Sequence, residues 1–284
     1  MREDLKNIVE QLAVKGFRTA GGDRWNEVIT LMQDLITYYI HVPEIQSWKD
    51  EKGVEYRNFS CYFKGKSSKK IVIGAHYDTF EETPGADDNG SAVAVLLCLG
   101  NLLKSEKNLP FNVELVFYAC EEPPFFGTEG MGSYHHAQTC SKENTELMIC
   151  LEMVGFFSEE KGSQDYPFLP LKWIYGSRGN YLMVVSNIKS AGKLAKFWKS
   201  LKLSSLTYKR FISPFKSYGM DWSDHRNYWS RGIPAIMITD TSVFRNANYH
   251  QLTDTADTLD YDRMARLTED LLKGTITHDS FHPN

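Results

Sequence analysis

Val28, Leu31, Met32, Leu35 and Ile36 recur at the three-and-four spacing that gathers side chains on one helix face, predicting a helix over residues 25–40. The period then shortens. Residues 54–63 alternate in the two-residue rhythm of a half-buried strand, and the polar run Gly65-Lys66-Ser67-Ser68-Lys69-Lys70 reads as a turn. Beyond it, short apolar runs alternate with helical patterns. Strands are predicted at 71–74, 113–120, 148–151, 181–185 and 234–239. Helices are predicted at 91–103, 133–139, 190–201 and 261–273, the last capped by Asp260. Continuous apolar strands separated by helices imply a sheet covered on both faces. The expected fold is α/β: a single three-layer domain over residues 1–284, with a mostly parallel central sheet and antiparallel edge strands. Segments 156–178 and 207–218 show neither period and are rich in aromatic residues, among them Phe156, Phe157, Trp173 and Tyr218. Such loops either wall a pocket or cover the sheet.

Composition adds mainly exclusions. A hydrophobic share of 42% and a charged share of 24% fit an ordinary globular chain. The formal net charge of -4 gives no electrostatic reason for a nucleic acid or an anionic membrane as partner. No apolar run approaches the ~18 residues of a membrane span. The opening Met1-Arg2-Glu3-Asp4-Leu5 lacks the basic-then-apolar pattern of a secretory signal, so the chain as it stands is expected in the cytoplasm. Cys61, Cys98, Cys120, Cys140 and Cys150 are odd in number and form no close pair, which predicts buried reduced thiols. The pattern shows no repeat or linker and leaves the oligomeric state open.

The chemistry is positional. His76-Tyr77-Asp78 follows the strand ending at Gly74, and Glu121-Glu122 the strand ending at Cys120. Glu152 follows Leu151, and His250 lies in the loop beyond the strand ending at Thr239. Sites in open α/β sheets are built at that carboxyl edge. Singly, each residue reads as a structural histidine, a turn acid or a solvated glutamate. Together they form a histidine and carboxylate set of the kind that suits zinc.

The motifs His76-Tyr77-Asp78-Thr79, Pro84-Gly85-Ala86-Asp87-Asp88-Asn89-Gly90-Ser91, Glu121-Glu122 and Tyr249-His250 stand in one order within residues 71–264. In this the chain resembles the two-zinc exopeptidase family of bacterial leucyl aminopeptidases, a glutamate carboxypeptidase, glutaminyl cyclases and the inactive transferrin receptor. The resemblance implies that Asp88, the acid just before Asn89-Gly90-Ser91, bridges two zinc ions. It implies His76 and Glu152 at one ion, Glu122 and His250 at the other, and Glu121 as general base. Asp78 would hold the His76 imidazole. The activity implied is hydrolysis of short peptides by a metal-activated water, foremost as an aminopeptidase.

Glu152 departs from the aspartate usual in the aminopeptidases and keeps a carboxypeptidase in view. That activity calls for an arginine to grip a terminal carboxylate, and Arg178, Arg210, Arg226, Arg231 and Arg245 are unranked candidates. A glutaminyl cyclase would use one zinc and replace the Asp-Asp-Asn-Gly run, which this chain keeps. A binding module that had lost catalysis would lack ligands that are all present. Manganese or cobalt also suits such a donor set.

Weaker signals complete the reading. Ser223-Asp224-His225-Arg226 also resembles the family pattern, with Asp224 and His225 lining the site or Asp224 capping a helix. The run from Asp254 to Asp260 reads as turn and helix-start chemistry. His135 and His136 are expected on an exposed helix. Lys193, Lys196, Lys199 and Lys202 mark a solvated face opposite Leu194, Phe197, Trp198 and Leu201. Asn58-Phe59-Ser60 fits a glycosylation sequon but carries little weight without a secretory signal.

Overall fold

The computed structural model describes residues 1–213 and 219–277, so Tyr218 lies outside the described residues. Two helices open the chain, α1 (Arg2–Leu12) and α2 (Trp25–Tyr39), followed by β1 (Glu44–Lys49) and β2 (Glu55–Phe63). Next come β3 (Lys70–His76), α3 (Ala92–Leu103), β4 (Asn112–Tyr118), α4 (Gly132–Ala137), β5 (Thr145–Glu152) and α5 (Leu169–Tyr175). The last part contains β6 (Leu182–Asn187), α6 (Ala191–Leu201), β7 (Tyr208–Ser213), α7 (His225–Ser230), β8 (Ala235–Thr239) and α8 (Tyr261–Ile276).

All the strands join one eight-stranded sheet in the order β1-β2-β4-β3-β5-β8-β6-β7. Its centre, β4-β3-β5-β8, is parallel. Antiparallel pairing occurs on both flanks, where β2 joins β4, β1 joins β2, and β6 joins β8. The fold is the expected α/β one. Period-two alternation splits the core: Ile71 and Ile73 of β3 pack with α1, α2, α3 and α8, while Val72 packs with Tyr118, Met148 and Tyr228 on the opposite face. The helix α3 is buried from Ala92 to Gly100, which explains why it is apolar all round. Gly74 is required by a close approach, because a Cβ there would lie 2.3 Å from the Tyr118 ring.

Several elements differ from the expectation. The helix α1 was not foreseen, although Leu5, Ile8, Val9 and Leu12 carry the helical spacing. β1 and β7 are half-exposed edge strands and α5 buries no residue, so none of them leaves an apolar signature. His136 is not exposed: its Nδ1 lies 2.5 Å from the Tyr228 hydroxyl, and its Nε2 3.4 Å from Glu114. His135 is half-buried and stacks on Trp48 at 4.2 Å. The Asn58 amide is buried, donating to Gln46 and to the Gly132 carbonyl, so the sequon is inaccessible in the folded chain. All five cysteines are free and buried, as expected. Asp260 caps α8 by accepting from the Arg263 amide at 2.9 Å. Among the described residues no helix is long and apolar enough to cross a membrane.

Candidate metal centre

From β3 the chain proceeds to β4 on one side and later to β5 on the other, so a crevice opens at the carboxyl ends of these strands. His76 is the last residue of β3 and Glu152 the last of β5. Glu121 and Glu122 follow β4, Asp88 lies in the tight turn Ala86–Ser91 before α3, and His250 lies between β8 and α8. All six side chains converge. Asp88 Oδ1 is 3.5 Å from His76 Nε2, which is also 3.5 Å from Glu152 Oε2. Asp88 Oδ2 is 3.3 Å from His250 Nε2, which is 3.4 Å from Glu122 Oε2. The two oxygens of one carboxylate therefore face two separate histidine–glutamate pairs. Glu121 Oε2 stands farther out, 3.9 Å from His76 Nε2.

Neighbouring groups set this arrangement. Asp78 acts more on the glutamates than on the imidazole: its carboxylate accepts from the backbone amides of Glu121 and Glu122 at 3.1 and 3.0 Å. His76 Nδ1 lies nearer the Asp78 carbonyl (3.2 Å) than its carboxylate (3.6 Å). Asn89 brackets Glu152, donating to the Leu151 carbonyl and accepting from the Met153 amide. Ser223 donates to Glu152 Oε2 at 2.6 Å. Asp87 turns away from the cluster, holding the Gly155 amide and Asn246. Cys120, Met153 and His250 adopt φ of 60, 47 and 57°, unfavourable values for side-chain-bearing residues that here redirect the chain at the site.

Two supports escaped the sequence reading. Asp254, read as turn chemistry, accepts from the amides of Asp87 and Asp88 and so holds the loop that presents Asp88. Arg18 is fully buried, and its guanidinium donates to the carbonyls of Leu12, Tyr77, Pro84 and Gly85. Burial lowers its pKa to about 10, against the attraction of Asp254 and Asp88. No local pattern marks an arginine that serves only distant carbonyls. Arg18→Met should leave those acceptors unsatisfied and cost on the order of 3 kcal/mol. Urea unfolding would register this as a lower midpoint at unchanged slope.

Asp224 and His225 are both buried. Asp224 makes no capping bond, so the helix-cap alternative is not what the structure shows. His225 Nε2 bonds the Met220 carbonyl at 2.8 Å, and burial lowers its pKa to about 4.

The cluster's charge fits a divalent cation. Burial raises Glu121 well above the carboxylate range, and burial with the nearby Asp88 raises Glu122 to about 8. Burial would also raise Asp88, but the facing His250 and His76 imidazoles hold it below its ordinary value. His250 is pushed up to about 10 despite burial, through Asp88 and Glu122. Four carboxylates thus outweigh two imidazoles in a buried space. His76 Nε2 is buried without a hydrogen-bond partner and faces the carboxylates, as a ligand nitrogen should. One donor atom each from His76, Asp88 and Glu122 lies within 4.8 Å of the others.

Beside the cluster is a cavity of about 190 Å3 that Glu121, Glu122, Glu152 and His250 also line. Its far wall is apolar, with Leu171, Tyr175, Met183, Val185, Phe211 and Met237. The aperiodic aromatic segments thus wall a pocket through Tyr175 and Phe211, while Trp173 is 86% exposed and does not. His250 is fixed at the rim, stacked on Phe80 at 4.0 Å and on Tyr249 at 3.8 Å.

The sequence pattern of peptidase family M28 matches residues 58–274, a span that encloses every residue of the cluster. The chain belongs to peptidase family M28. Over 238 residues it is 41% identical to YfbL, an uncharacterised protein of Escherichia coli, covering 80% of this chain and 72% of YfbL. Over 265 residues it is 25% identical to a probable leucine aminopeptidase of Arthroderma benhamiae, covering 85% of this chain and 63% of that protein. This M28 chain therefore spans less than two thirds of the fungal relative. The fold matches the crystal structure of Porphyromonas gingivalis glutaminyl cyclase with a TM-score of 0.71 at 18% identity, covering 96% and 97% of the two chains.

Proposed function

We propose that this M28 peptidase is a zinc exopeptidase, an aminopeptidase that removes apolar N-terminal residues from peptides. The observation that carries the reading is Asp88, whose two oxygens face the His76–Glu152 and the His250–Glu122 pairs. Zinc held at these two positions, with Asp88 shared, would acidify a water and polarise a peptide carbonyl.

The chain's own residues supply the rest. Glu121 borders both the cluster and the cavity, and Asp78 fixes its backbone. Its carboxylate takes one proton from the attacking water; the remaining hydroxyl adds to the carbonyl carbon. As the C–N bond breaks, Glu121 returns that proton to the leaving amine. The apolar wall formed by Met183, Val185 and Met237 favours a substrate with an apolar end residue. The likeness to a probable leucine aminopeptidase supports the same choice.

Metal analysis of the purified protein, paired with a peptide panel, tests this reading. The expected result is about two zinc ions per chain and chelator-sensitive release of N-terminal leucine or phenylalanine ahead of glycine or aspartate. Loss of residues from the carboxyl end of N-blocked peptides would make it a carboxypeptidase. Ammonia release from N-terminal glutaminyl peptides would make it a cyclase. No hydrolysis after zinc is supplied would defeat the enzyme reading.

A further inference from the structure

The chain that supplies Glu121 and Glu122 continues along two cavities in turn. Pro123 and Phe126 line the apolar pocket, whereas Gly127, Thr128 and Glu129 line a second cavity of about 470 Å3. Met220 borders both. The second cavity carries Arg226, one of five arginines that sequence could not rank.

The structure separates these arginines. Arg245 is buried and donates to Gln164 and the Phe156 carbonyl, and Arg178 donates to the Glu159 carbonyl. Arg210 lies over Trp198 and lines neither cavity. Arg231 lies beyond the end of α7 and also lines neither. Arg226 remains. Its guanidinium lies 4.6 Å over the ring centroid of Phe126, the residue that lines the apolar pocket. Gly127, at φ +78, leaves room on the same side; a Cβ there would come within 3.3 Å of Arg226 Nη1. The planar fork is thus positioned by an aromatic face and a bare stretch of backbone, and among the described residues it makes no ion pair. Such a guanidinium suits bidentate binding of a carboxylate. Glu129, hydrogen-bonded to Tyr134, and Asp221 line the same cavity.

We propose that Arg226 binds the free C-terminal carboxylate of a short peptide whose N-terminal side chain occupies the apolar pocket, which makes di- and tripeptides the substrate class. The proposal rests on the exopeptidase reading and narrows it. The apolar pocket selects one end of the peptide, and the arginine selects the other by charge. A long chain, or a peptide amidated at its end, forgoes the second interaction.

Binding and turnover test this separately. Calorimetry on zinc-loaded Glu121→Gln would compare leucyl-alanine with its C-terminal amide. The free acid should bind about 10–100-fold more tightly. Adding Arg226→Met should bring that ratio close to one, and Arg226→Lys should retain part of it. Thermal unfolding of each variant would confirm an intact fold. In the otherwise native enzyme, Arg226→Met should raise KM for the acid far more than it lowers kcat. Equal binding of acid and amide, or a preference that survives Arg226→Met, would overturn the subsite. Equal hydrolysis of acid and amide by the native enzyme would also overturn it and leave the exopeptidase reading standing. No hydrolysis of either peptide, with the acid still preferred in binding, would sink the exopeptidase reading and not the subsite.

Discussion

Glu121→Gln is expected to lower kcat by about 10²–10⁴-fold while zinc content stays at the native level. The amide preserves shape and polarity but cannot take a proton from water. Glu121 is the outlying carboxylate of the cluster, 3.9 Å from His76 Nε2, where Glu152 and Asp88 each stand at 3.5 Å. Its loss should therefore spare the metal. Metal analysis and steady-state kinetics on the same preparation decide the matter. If zinc falls together with activity, Glu121 is a ligand and the general base lies elsewhere.

Asp88→Ala should have the opposite signature, with zinc and activity lost together. A carboxylate facing both histidine–glutamate pairs cannot be removed from one position alone. Zinc should fall from about two ions per chain to less than one. Activity should fall by more than the ~10–100-fold typical of losing a partner behind a ligand. His250→Ala, which touches one pair only, should retain one ion. Asp87→Asn should keep both, because the Asp87 carboxylate is directed to Gly155 and Asn246. One tightly held ion in Asp88→Ala would mean that the carboxylate is not shared.

How much of this was readable follows from the range of the forces involved. Burial on both faces forces apolar side chains at successive positions of β3, β4, β5 and β8, so these strands announce themselves. α2 and α8 bury one stripe and show the helical period. β1, β7 and α5 bury little and leave no comparable pattern. His136 misled because two adjacent histidines on a short helix look solvated. Only the packing of α4 against α7, which brings Tyr228 to one ring nitrogen, shows that it is internal.

The sequence by itself determined the α/β alternation and placed His76, the Glu121–Glu122 pair and Glu152 at or just past the carboxyl ends of β3, β4 and β5, because local period and burial are written into neighbouring positions. The resemblance carried by its motifs pointed to Asp88, the acid just before Asn89-Gly90-Ser91, rather than Asp87, and the Asp87 carboxylate is directed to Gly155 and Asn246. Tertiary structure alone decided what lies behind those side chains. Asp78 proves to hold the Glu121–Glu122 backbone, Asp254 reaches back across 167 positions to the Asp87 amide, and Arg18 ties together carbonyls from separate loops. It also decided which of the candidate arginines lies over Phe126 and lines the second cavity. Such partners are distant in the chain and meet only when the sheet order brings the strand ends together. Their hydrogen bonds depend on that meeting, and a one-dimensional pattern records no trace of it.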